Sequence, residues 1–145
     1  MNLQPAIRSF ALADSTFSSF LTAYKGSKAL FTRRPVPEDA AYPLAVVSPA
    51  ITYRESDFVS GTKHFYLTHD FLIFDTNDSS SSYRAVEDAA FRIRNLFHRL
   101  DVNSFNTPSG YRLLLCLADY PIPGATDDLI KVSRVVQLTF DITEA

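Results

Sequence analysis

At 145 residues the chain has the length of one ordinary domain, and with 46% apolar against 21% charged residues it can bury a core rather than stay disordered. Its 14 basic and 16 acidic residues leave a formal net charge of −2. The arginines (Arg33, Arg34, Arg92, Arg94, Arg99) are too scattered for a basic grip on nucleic acid.

One cysteine excludes an internal disulfide, and no apolar run approaches the ~20 residues of a membrane-spanning helix. The opening MNLQPAIRSF lacks the basic start and apolar centre of a signal peptide, so the protein is expected to be cytosolic where it is made.

Taken in order, the chain begins with a broken helical element. Pro5 suits a first helical turn, and Ile7, Phe10 and Ala11 follow at helical spacing. Asp14 or Ser15 reads as a fresh N-cap before Phe17, Phe20, Leu21 and Tyr24, and Gly26 as the closing residue. Residues 28–33 form a short strand. The loop 35–43 is polar and stiffened by Pro35, Pro37 and Pro43. Residues 44–53 read as a strand in which Pro49 demands an edge position or a bulge. Residues 54–62, RESDFVSGT, read as a polar turn holding an exposed Phe58 and Val59.

The strongest strand is 63–76, apolar on both alternating sets and so expected in the middle of a sheet. After the polar run 77–82, a helix over 83–100 carries Tyr83, Val86, Ala90, Ile93, Phe97 and Leu100 as one stripe. A strand over 111–120 ends at Pro121, Pro123 and Gly124. Residues 131–143 alternate cleanly except at Arg134 and Val135, giving one buried and one wet face. The fold class is therefore α+β, one domain over 1–145: a mainly antiparallel sheet of about five strands with two helical elements packed on it, in the order α-β-β-β-α-β-β.

The inventory of reactive groups is thin. His64 and His69 lie five apart on one strand and face opposite ways, so they make no joint metal site. Cys116 sits in an apolar run and reads as a buried structural thiol. Four isolated glycines offer no phosphate-cradling loop, and the pairs Glu38–Asp39 and Asp127–Asp128 read as solvated turns. No catalytic, cofactor-binding or metal-ligating set is predicted. The rival reading is a ligand or enzyme pocket near Tyr66, His69 and Asp70, completed by Arg112 or Arg134. One residue breaks the helical pattern: Phe91 falls among Arg84, Glu87, Asp88, Arg94, Asn95 and His98, the arrangement of an apolar anchor rimmed by charge.

The order of elements carries a resemblance. A helix ending near Leu21-Thr22-Ala23, a strand at residues 29–33, the step PVPEDAAYPLAVVS, the strand HFYLTHDFLIFD, the Ser-led helix SSSSYRAVEDAAFRIRNLFHRL and the closing strand VSRVVQLTFDIT follow one another. In this the chain resembles, over residues 5–143, the tail terminator (tail completion) proteins of long-tailed bacteriophages and gene transfer agents.

The resemblance implies a virion protein, assembled in the host cytoplasm, that forms a homo-hexameric ring at the head-proximal end of the tail. The ring would cap the tail tube, end its polymerisation and join a head-completion or connector protein, with genomic DNA passing the lumen unbound. It implies no enzyme activity, no cofactor and no membrane partner. On this reading Phe91, Glu87, Arg94 and His98 are the expected subunit interface. Asp57, Phe58, Val59, Asp127 and Asp128 are the expected contacts with tube or connector. The alternatives are another phage neck or tail ring module, or the ligand pocket above.

Overall fold

The computed structural model describes residues 1–58, 60–76, 80–124 and 131–145, with the backbone alone at Ser80 and Ser81. The N-terminal segment forms two helices, α1 (Gln4–Leu12) and α2 (Ser15–Phe20). Pro5 sits in the first turn of α1, where a missing N–H is harmless. Asp14 restarts the helix: its backbone is extended, and its carboxylate accepts from the Phe17 N–H at 2.9 Å.

That helix stops at Phe20, because Leu21 is already extended. Gly26 therefore closes no helix. With Lys25 it makes the tight turn of a small hairpin, β1 (Ala23–Tyr24) with β2 (Ser27–Lys28), where both turn residues take positive φ.

The expected strand at 28–33 is split between β2 and β3 (Leu30–Phe31), and β3 runs parallel to β4 (Leu44–Val47). The expected strand at 44–53 is also split. Pairing halts near Pro49 and resumes as β5 (Thr52–Asp57), so most of what reads as a polar turn at 54–62 is strand. Sequence pattern misses β5 because it is exposed along nearly all its length and held by backbone pairing to β6 (Lys63–Thr76). The real turn begins where the Phe58 N–H donates to the Thr62 carbonyl at 2.8 Å.

Beyond β6 come α3 (Ser80–Phe97), a 3-10 turn (Val102–Ser104), β7 (Tyr111–Ala118), β8 (Ile122–Pro123) and β9 (Lys131–Glu144). The helix starts and stops three residues earlier than its apolar stripe suggests.

The 14-residue strands β6 and β9 are the spine, paired antiparallel from His64–Thr143 to Thr76–Lys131. The main sheet runs β3-β4-β6-β9-β7, with β5 continuing the β4 edge of β6 and β8 the β7 edge of β9. Among the described residues it is mixed through the single parallel pair β3–β4 and otherwise antiparallel, with helices packed on it, as the α+β reading requires.

Facing side chains decide which side the helices cover. Phe65, Leu67, Phe71 and Ile73 of β6 and Val136, Leu138, Phe140 and Ile142 of β9 are buried on one face. Val86, Ala90, Ile93 and Phe97 of α3 close over them. Phe97 is the meeting point, 5.0 Å from the Phe10 ring and 6.2 Å from that of Phe71. Truncating such a residue costs about 3–5 kcal/mol, so Phe97→Ala is expected to loosen the contact between α1, α3 and the sheet.

A second, smaller core forms on the opposite face. There the loop 35–43, entered and left through cis Arg34–Pro35 and Tyr42–Pro43, folds over Ala29, Leu44, Val46 and Phe74.

Candidate interaction surfaces

The outer side of α3 meets the end of β7 in an aromatic cluster. Phe91 is 42% exposed, and its ring centroid lies 6.3 Å from that of Tyr120, which is 64% exposed. The Arg94 guanidinium lies 4.2 Å over the same Tyr120 ring, while its buried Nε has no hydrogen-bond partner. Ile122, 59% exposed, stands opposite Val135 on the sheet face away from α3, where it lines a cleft with Tyr120, Asp70 and Gln137. Phe91 and Arg94 are thus brought together, through a tyrosine that the sequence reading passed over. The available signal was an aromatic and an aliphatic residue placed between prolines in Tyr120-Pro121-Ile122-Pro123, where a buried strand is impossible.

The two other residues of that predicted set have tasks inside the molecule. Glu87 lies 3.9 Å from Arg134 Nε. His98 turns toward β7, where its Nδ1 accepts from the Ala118 N–H at 3.1 Å. Arg134 breaks the alternation of β9 because it is an arginine on the core face, only 3% exposed. Its guanidinium covers the Tyr83 ring at 4.6 Å and donates to the Ser133 carbonyl at 2.7 Å. Tyr83, at the head of the apolar stripe, is 41% exposed with its ring against this cation.

The second predicted surface is the β5–β6 turn. Asp57 is the last residue of β5, opposite Lys63. Phe58 is 45% exposed and stacks on the His64 ring at 5.2 Å. His64 in turn hydrogen-bonds Asp141 of β9, so the turn is tied to the spine by an aromatic–histidine–carboxylate chain. Val59, Asp127 and Asp128 lie outside the described residues.

The groups proposed for a ligand pocket do not converge. His69 points into the core, 1% exposed, with its Nδ1 donating to the Ser48 carbonyl at 2.9 Å and its Nε2 buried without a partner. Burial holds this imidazole below its ordinary range. Tyr66 and Asp70 stand on the opposite face, where burial raises the Asp70 carboxyl. Arg134 is beneath α3, opposite Ile73 rather than His69.

A cleft of about 270 Å³ does exist elsewhere, beside the second core, with Leu44, Val46 and Phe74 as its floor and Arg34 and Lys131 at its rim. Among the described residues no group of three or more His, Cys, Asp or Glu side chains is placed to hold a metal ion. No described helix is long and apolar enough to cross a membrane.

No protein-family model matches the chain, and no curated protein matches it. Its fold is similar to that of a chain in the virion of a native gene transfer agent (GTA) particle. The TM-score is 0.72 at 12% identity, and the match covers 98% of this chain and 95% of that one. At that identity the likeness is one of fold. It spans nearly the whole of both chains.

Proposed function

We propose that this protein is a structural subunit of a phage-like or gene-transfer-agent virion, and within it the tail terminator. In this role identical copies close into a hexameric ring on the finished tail tube, stop its growth and present the joint to a head-side connector. The observation that carries the proposal is the likeness of fold, over nearly the whole of both chains, to a GTA virion chain. The order of elements in the sequence supports the finer assignment.

The chemistry of the surface is compatible with that work. A subunit in a closed ring needs two different, complementary flanks, because head-to-tail contacts are what generate rings. Phe91 and Tyr120, both exposed, with the half-buried Arg94 against the Tyr120 ring, supply one flank with aromatic and arginine anchors, the residue types that dominate binding energy at interfaces. The β5–β6 turn, with Asp57 and Phe58, is assigned to tube or connector contact. Near-neutral net charge suits a lumen through which DNA slides without being held.

The test is tube polymerisation in vitro. Tail-tube protein allowed to polymerise with this protein added should give shorter tubes, with length falling as the ratio of the two rises. Tube lengths indifferent to the addition would overturn the assignment as terminator.

A further inference from the structure

A sheet with open edges must guard them or use them. Among the described residues, every edge of the main sheet but one is guarded. The β3 edge is covered by α1: Gln4 Nε2 donates to the carbonyls of Thr32 and Val47, and Arg8 Nε to that of Leu30 at 2.9 Å. The β7 edge carries a bulge between Leu113 and Leu115, and beyond it the end of α3 covers the strand. There the Arg99 N–H donates to the Cys116 carbonyl and His98 accepts from Ala118. The β8 edge is two residues long, with Pro121 before it and Pro123 as its second residue.

β5 is the exception. No hydrogen bond joins its outer side to any other described residue. The Phe58–Thr62 bond fixes the phase of the β5–β6 ladder, and alternation along it turns the N–H and C=O of Tyr53, Glu55 and Asp57 outward.

We infer that β5 is a strand-addition site, and that its occupant is an extended basic segment of a neighbouring assembly protein. The charge around the edge selects that occupant. On the helix-facing side, Lys63 is bonded to Glu55 at 2.8 Å, is paired in register with Asp57, and donates its N–H to Glu144. Glu55 and Asp57 stand on β5 itself against that one ammonium, while Glu144 lies across β6 on β9. The edge is therefore negative on this face, and a strand with Lys or Arg on its matching alternate residues adds with favourable cross-strand pairs.

A second copy of this chain is a poor occupant. Antiparallel β5–β5 pairing that keeps each side chain on its own face sets Arg54 against Arg54, Glu55 against Glu55, or Glu55 against Asp57 in its three central registers. The inference rests on the reading of the adjacent Asp57–Phe58 turn as an assembly surface and specifies what that surface takes.

The experiment is an NMR titration of the isotope-labelled protein with blocked eight-residue peptides, one alternating Lys with Val and one alternating Glu with Val. Saturable amide shifts centred on Tyr53, Glu55 and Asp57 are expected with the first. Binding should be at least tenfold weaker for the second, and for Glu55→Pro with the Lys–Val peptide. Proline at an outward-facing edge position leaves the ladder intact, and Glu55→Gln, which keeps the N–H, should still bind.

Should Glu55→Pro fail to fold, a Lys–Val peptide N-methylated on its strand-facing amides must fail to bind the native protein. Absence of saturable shifts, equal binding by the methylated peptide, or equal binding by a folded Glu55→Pro variant would overturn the inference. So would self-association that Glu55→Pro abolishes, since it would make a second copy the occupant. Peptide binding is read without rings or tubes, so it can fail while tube termination succeeds, and the reverse.

Discussion

Asp14 joins two helices through one carboxylate. It caps α2 at the Phe17 amide and receives two hydrogen bonds from Arg92 of α3, at 3.0 and 2.6 Å. The Arg92 guanidinium is the main reason its carboxyl lies below the usual range. Asp14→Ala is expected to cost about 1 kcal/mol through the lost cap, measured by urea unfolding, while Asp14→Asn keeps the cap and loses only the exposed ion pair. A depressed carboxyl contributes stability above its unfolded value of 3.8 and loses it as pH falls through the folded value. The difference between wild type and Asp14→Asn should therefore vanish in strong acid.

His69 acts at higher pH by the same linkage with a base. Its folded pKa lies below 6.5, so the unfolded chain takes up the proton first and stability drops as pH falls from about 6.5 toward the folded value. Asp70, raised above 3.8, works in the opposite sense. Comparing pH slopes of unfolding between wild type and His69→Asn cancels that contribution, and the variant should be flatter between pH 7 and 5. Parallel slopes would remove His69 from the account. Phe91→Glu belongs to the same scale: as an exposed substitution it should move folding stability by no more than about 0.5 kcal/mol while impairing ring formation. A variant that assembles normally would leave Phe91 outside the interface.

Elements were legible where burial wrote them into the sequence. β6 is bounded as its apolar pattern predicts, and β9 to within one residue, because both are spine strands with a face closed by α3. β5 was invisible for the complementary reason: an edge strand paired on one side and exposed on both faces needs no apolar residues, and Arg54-Glu55-Ser56-Asp57 has none. The N-terminal helix was over-extended because Leu21 and Tyr24 continue the helical spacing although they pack as hairpin and loop. The candidate surface was half legible. Phe91 and Arg94 stood out by their place on the helix, while Tyr120 reaches them only through the fold. Cys116 shows the opposite case, a residue whose setting is plain from its apolar run. It is fully buried in β7, and burial raises its thiol well above the ordinary range. A thiol reagent at pH 8 should label it no faster than global unfolding; labelling at the rate of a free thiol would mean that β7 opens locally.

At the scale of the whole molecule, one sheet divides the protein into a face sealed by helices and a face left mostly to side chains of mixed character. Asp70, Gln137 and Thr139 lie there, and the loop 35–43 closes one end. A solitary domain has little use for so much ordered, partly exposed sheet, together with an aromatic flank and an unguarded edge. A subunit in an assembly needs all three. The proposed role is the docking of identical copies side by side on a tube end. Negative-stain electron microscopy of the purified protein mixed with tail tubes tests it most directly. Sixfold rings seated at one end of each tube are the expected result. Tubes with bare ends beside protein that remains monomeric would contradict the account.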